Sequence, residues 1–211
     1  MGQLGWRMTT IALLLLGGSS AHAATVTLLD DSQGNLPSDQ GVLFFSGIGG
    51  FQTSVPSGVA LDSTQGDSNA GHIGYLNHIP FLSALPSIDL DASTGITLEF
   101  EARIDFETHA NSDRAGLSAI VVTDDLKAVE IAFWDDTIWA QNFNFTHAEQ
   151  VLYNTTTALT NYSLQILGSG YSLLADNSTI LSGALRDYSG ASAFPNVYAV
   201  ANFLFFGYNT T

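Results

Sequence analysis

Between residues 96 and 105 apolar and polar positions alternate without a break. Ile96, Leu98, Phe100, Ala102 and Ile104 fall on one side, and Thr97, Glu99, Glu101, Arg103 and Asp105 on the other. A period of two puts successive side chains on opposite faces, so this stretch predicts a half-buried strand of an antiparallel sheet. Short runs rich in β-branched and aromatic residues follow at 115–123, 128–134, 137–142, 150–153, 162–167, 171–175, 179–185 and 202–206. Turn formers separate most of them: Asp124-Asp125, Asp135-Asp136, Gly168-Ser-Gly170 and Asp176-Asn-Ser178. The Asp135-Asp136 break, between two strands that each carry a Trp, predicts a tight hairpin. Many short strands at roughly 8–12-residue spacing predict a sandwich or a barrel. No stretch carries a capped apolar stripe at 3.6-residue spacing, so no helix of ordinary length is expected.

Upstream the pattern is looser. Residues 24–29 alternate and are β-branched, and read as a first strand; 30–93 are rich in Gly, Ser, Asp and Asn. Apolar residues return there at 42–45 and 73–76, which predicts loops and short strands. The apolar run at 202–206 stops just short of Thr211. An apolar strand left at a sheet edge invites a further partner, so the sequence is read as cut short at its C-terminus.

Arg7 precedes a mostly apolar stretch over 8–16, and Gly, Ser and then Ala21-His22-Ala23 follow. A short positive start, an apolar core and a small-x-small ending are read by a signal peptidase, which places cleavage after Ala23. The apolar stretch is too short to span a bilayer, which needs roughly 20 residues. Residues 1–23 are therefore expected to be an export leader and 24–211 a single domain, secreted or held at the cell surface without a membrane span. The chain has no cysteine, which favours a bacterial export route over an animal extracellular one.

Twenty acidic residues against five basic give a net charge of −15. Such a surface repels phosphate backbones, which excludes nucleic acid as a partner and disfavours anionic lipid. Acidity is compatible with cation binding and with simple solubility. Asp124, Asp125, Asp135 and Asp136 could supply oxygens to calcium, a possible cofactor, but that ion needs six to eight converging ligands. Paired Asp in a turn is more often turn chemistry. His72, His78, His109 and His147 lack zinc-site spacing. Trp134 and Trp139 could stack on a sugar ring, as exposed aromatic faces do; packing against each other across their hairpin is the commoner use of such a pair.

Several segments together resemble the laminin-G/concanavalin A-like domains of bacterial exported proteins, in particular the group whose members often end in a PEP-CTERM sorting tail. They are Thr97-Leu-Glu-Phe-Glu-Ala-Arg-Ile104, Arg114-Ala-Gly-Leu-Ser118, Val129-Glu-Ile-Ala-Phe-Trp-Asp-Asp-Thr-Ile-Trp-Ala-Gln141, Tyr171-Ser-Leu-Leu-Ala-Asp176, Ile180-Leu-Ser-Gly-Ala-Leu-Arg-Asp-Tyr-Ser189 and Asn202-Phe-Leu-Phe-Phe-Gly-Tyr-Asn-Thr-Thr211. The likeness implies an all-β fold, a two-sheet antiparallel jelly-roll sandwich of the lectin and glucanase type. Gly207-Tyr-Asn-Thr departs from the Gly-Asp-(Asp/Asn)-Thr of related chains, and no sorting tail is present.

Glucanases of this architecture resemble one another in a strand with three acids on one face, serving as nucleophile, helper and acid/base. The comparable strand here is Glu130-Ile-Ala-Phe-Trp-Asp135, where Ala132 and Trp134 stand in for two of those acids. Glu99 and Glu101 do share a face, about 6.5–7 Å apart along a strand, but they flank Arg103. The expected function is a non-enzymatic exported surface or matrix module, adhesive or glycan-binding, with extracellular polysaccharide or a surface protein as partner. Its candidate ligand residues are Trp134, Trp139, Glu99 and Glu101. The alternative is a divergent glycan hydrolase or lyase on the same fold.

Overall fold

The structure, a computed structural model, describes residues 10–15, 24–30, 34–47, 50–55, 58–62, 72–79, 82–83, 88–109, 112–113, 115–191 and 196–209. The strands are β1 Thr10–Leu15, β2 Ala24–Asp30, β3 Leu43–Ser46, β4 Phe51–Val55, β5 Gly58–Asp62, β6 His72–Leu76, β7 His78–Ile79 and β8 Leu82–Ser83. They continue with β9 Ile96–Ala102, β10 Gly116–Val122, β11 Ala128–Phe133, β12 Thr137–Gln141 and β13 His147–Leu152. The last are β14 Thr160–Leu167, β15 Gly170–Ala175, β16 Ser178–Ala184 and β17 Phe203–Asn209. No α-helix occurs among the described residues; Pro37–Gln40 and Val197–Ala199 form short 3-10 turns.

Thirteen of the strands form two antiparallel sheets, one of six in the order β16-β15-β14-β9-β1-β2 and one of seven in the order β13-β12-β11-β10-β17-β6-β3; β4–β5 and β7–β8 pair separately. The fold is an all-β two-sheet sandwich. Alternation decides which side chains fill it. From the six-stranded sheet come Leu98 and Phe100 of β9, Leu164 and Ile166 of β14 and Leu173 of β15. From the seven-stranded sheet come Leu117, Ala119 and Val121 of β10, Ile131 and Phe133 of β11, Ile138 of β12 and Phe206 of β17. Phe100 joins the layers: it stacks on Tyr162 at 5.4 Å and meets Phe206 and Phe133 edge-on at 4.8 and 6.0 Å. Offset and edge-to-face contacts of this kind suit the ring quadrupoles and add to simple burial.

β10 is buried along its whole length, and its run Leu-Ser-Ala-Ile-Val-Val does not alternate. The reason is a second apolar layer. Residues 186–191 and 196–202 lie over the outer face of the seven-stranded sheet and lay Tyr188 and Tyr198 on Ile120, Val122, Ala128 and Phe205. A strand covered on both faces reads as a continuous apolar run.

One expectation needs correction. The apolar run at 202–206 belongs to β17, which is paired with β10 on one side and β6 on the other; it is an interior strand and not an edge in want of a partner. The apolar stretch assigned to an export leader supplies β1, which lies between β9 and β2. The cleavage motif itself, at 21–23, lies outside the described residues. The hairpins β4–β5 and β7–β8 have no counterpart in the sequence pattern; they fall in the Gly/Ser-rich region, where short polar strands carry little periodicity.

Candidate functional site

The outer face of the seven-stranded sheet carries two polar clusters. The first is centred on Glu130 of β11, which is wholly buried. Its Oε2 accepts a 2.5 Å hydrogen bond from the Tyr198 hydroxyl, and its Oε1 accepts from Ser118 Oγ of β10 and, at 2.8 Å, from Asn209 Nδ2 of β17. Burial raises the Glu130 pKa above the ordinary Glu range, against the pull of the three hydrogen bonds from Ser118, Tyr198 and Asn209. A carboxyl with a raised pKa is often a catalytic acid. Here Tyr198 closes it off, and its partners are themselves buried, so it meets no solvent.

The second cluster runs along β12. His109, from the loop after β9, lies flat on Trp134 with ring centres 3.7 Å apart and planes 3° apart. Trp134 meets Trp139 edge-on at 4.5 Å, and Trp139 stacks on His147 of β13 at 4.1 Å. Both carboxylate oxygens of Glu107 lie 3.0 Å from His109 Nδ1. Glu107 keeps only 4% of its side chain exposed against 36% for His109. Burial raises the Glu107 pKa, opposed by its contact with His109.

Polar atoms inside this row lack partners. Trp139 Nε1, Gln141 Oε1 and His147 Nε2 are buried and make no hydrogen bond. Gln141 is held through its other atom, Nε2 donating to the Asp113 carbonyl at 3.2 Å, and His147 Nδ1 lies 3.0 Å from Gln150 Oε1. A buried unmade hydrogen bond costs about 1–3 kcal/mol, and three on neighbouring positions mark a place where a donor and acceptor set is offered.

The residues singled out from sequence scatter over the molecule. Trp134 and Trp139 do pack across their own hairpin, and Trp139 is fully buried. Glu99 and Glu101 lie on β9 with Leu98 and Phe100 turned inward, so they face away from the core on the outside of the six-stranded sheet. The two pairs thus stand on opposite outer faces and form no common site. Asp125 Oδ1 accepts from Thr123 Oγ1 at 2.6 Å and from the Lys127 amide at 3.1 Å, which, with the Thr123 bond foremost, holds its carboxyl below the usual range. Asp135 and Asp136 close the hairpin at the other end of β11: their carbonyls accept from the Thr155 and Tyr153 amides, and the Asp136 carboxylate accepts from Thr137 Oγ1. Asp124-Asp125 and Asp135-Asp136 are therefore two separate turns. Among the described residues no group of three or more His, Asp or Glu is arranged to hold a metal ion.

Sequence reasoning missed Glu107 and Gln141 and treated His109 and His147 as scattered. One signal was available: Gln141 stands two residues after Trp139 and so shares its face. The Glu107-x-His109 pair in a loop carried no periodicity to place it. Arg186 donates to Glu149 Oε2 at 2.5 Å and to the Ala184 carbonyl at 3.0 Å, tying the start of the covering segment to β13 and β16.

The chain matches no family model, no curated protein and no solved structure. Fold and site are therefore defined by the molecule alone, an antiparallel β-sandwich with an aromatic and histidine row on one outer face.

Proposed function

We propose that this chain is a non-enzymatic, exported surface or matrix module that binds a glycan, with the jelly-roll character of concanavalin A-like domains. The observation that carries the reading is the row His109–Trp134–Trp139–His147 along β12, with His109 exposed at its end and unpartnered polar atoms inside it. Exposed His109, held flat on half-buried Trp134, presents a ring face beside polar groups, which suits sugars with their apolar C–H faces rimmed by hydroxyls. The acidic surface favours neutral over acidic polysaccharide. A glycan array probed with and without calcium tests it: binding to a defined set of neutral glycans is expected, and silence in both conditions rejects the reading.

One observation favours a divergent hydrolase or lyase instead. Glu107, buried and raised in pKa, sits against His109 beside Trp134, as an acid/base pair would. Turnover of β-glucans that disappears in Glu107→Gln would replace the binding reading with this one.

A further inference from the structure

Leu15, the last residue of β1, stands in register with Ala24, the first of β2, and the bond read as the leader cleavage site joins Ala23 to Ala24. β1 is paired on both sides, antiparallel to β2 over Thr10–Leu15 and to β9 over Ile11–Leu15. Its register partners on β9 include Ile96, Leu98 and Phe100, all buried in the core between the sheets. Residues of an interior antiparallel strand commit their amides and carbonyls to one neighbour or the other. The stretch that an export membrane and its peptidase must take hold of is therefore an integral strand of the folded chain. The same residues cannot lie in a bilayer and between β9 and β2 at once.

A leader that trailed from the body would be open to the peptidase whether or not the body had folded. We propose that here folding of the full chain locks the leader, so that leader removal and completion of the six-stranded sheet exclude each other. The inference rests on the exported part of the proposed function and not on glycan binding. Chain order sets the window. β1 and β2 alone make one hairpin, and an isolated two-stranded hairpin is at best marginal in water. The lock closes only when β9 arrives, about 80 residues after Leu15, which is roughly 4–16 s later at synthesis rates of about 5–20 residues per second. Capture before then leaves the leader free; a chain that folds first keeps it. Removal itself is hydrolysis: water adds across the Ala23–Ala24 amide, leaving a carboxylate on Ala23 and an ammonium on Ala24.

The test offers the full chain to purified signal peptidase in detergent micelles, either at once on dilution from urea or after refolding is complete. Cleavage after Ala23 is read by intact mass. The refolded chain should be cut more slowly by about tenfold or more, the factor being set by how rarely the strand opens. Ala12→Pro removes an amide from the middle of β1 and bars the strand from the sheet interior. Refolded Ala12→Pro should be cut as fast as freshly diluted Ala12→Pro. Equal rates for refolded and freshly diluted wild type overturn the lock and leave the leader reading standing. Refolded Ala12→Pro as slow as refolded wild type also overturns it, since the protection then lies elsewhere. If Ala12→Pro does not refold, wild type in rising urea below its unfolding transition replaces it. Cleavage should then rise together with hydrogen exchange at the Ile96–Phe100 amides, and cleavage that rises without that exchange overturns the lock. No cleavage after Ala23 in either form of the wild type removes both the lock and the leader reading beneath it.

Discussion

Gly74 and Gly207 face each other in the register of β6 and β17. Neither needs an unusual φ; what they lack is room. A Cβ at Gly74 would lie 2.5 Å from the Phe206 carbonyl oxygen and 2.7 Å from Gly207 Cα, both backbone atoms in the middle of a sheet. Backbone cannot swing aside as the end of a side chain can, so the strands themselves would have to part. Gly74→Ala should destabilise by about 1–3 kcal/mol or more, the range of overpacked interiors, which for a chain of this length is a fall of roughly 2–12 °C in Tm. Gly190, in the covering segment, has open space where a methyl group would stand, with no atom within 4 Å, and Gly190→Ala is the matched control. Equal melting of the two variants in a calorimetric scan would contradict the close approach. The same local logic explains the Asp pairs: Asp125 is committed to Thr123 and Lys127, and a carboxylate so engaged is turn chemistry first.

At the scale of elements, the covering residues 186–191 and 196–202 are what make the seven-stranded sheet two-sided. They are tied down by a backbone pair between Arg186 and Ala128, by Tyr188 donating to the Gln141 carbonyl at 2.6 Å, and by Tyr198 on Glu130. Glu130 therefore couples this cover to pH. Its folded pKa is raised above the unfolded value, so the folded state holds the proton more tightly. The stability this confers is complete below the ordinary Glu range and is lost as pH rises through the folded value. Glu130→Gln removes that titration and keeps a polar group for Ser118 and Tyr198. Stability from pH 5 to pH 8 should fall more steeply in wild type than in Glu130→Gln; parallel melting curves would show that the carboxyl does not titrate with unfolding. Most of this element layout was legible. β9, β14 and β15 follow the sequence pattern because one buried face leaves a period-two trace, whereas β10 and β11, buried on both faces, show as continuous apolar runs. The covering segment was not legible, since Asp187-Tyr-Ser-Gly-Ala-Ser has turn composition and no period, and its tyrosines act through distant Glu130 and Gln141. The candidate site was half legible for the same reason: the Trp134–Trp139 pair follows from its own hairpin, whereas Glu107, His109 and His147 join it only through tertiary contact.

At the scale of the whole molecule, the open issue is the strand contributed by Thr10–Leu15. In the full chain β1 is the penultimate strand of the six-stranded sheet, paired with β9 over Ile11 to Leu15 and with the edge strand β2 over Thr10 to Leu15. The export reading places the same residues in a leader removed after Ala23. Both describe one apolar stretch, because the property that suits an export leader, a short unbroken apolar run of Ile, Ala and Leu, also suits an interior strand. They diverge once the protein is exported. Residues of a central antiparallel strand turn their amides alternately to one neighbour and the other. With the leader gone, the β9 amides aimed at β1 lose their acceptors, while those aimed at β14 keep them. Intact mass of the exported protein should correspond to a chain starting at Ala24. Hydrogen exchange should then show alternate fast and slow amides across Ile96–Phe100, against uniform protection there in the uncleaved chain. An exported protein that retains residues 1–23 would make β1 a permanent layer of the sandwich, and the leader reading would have to be given up.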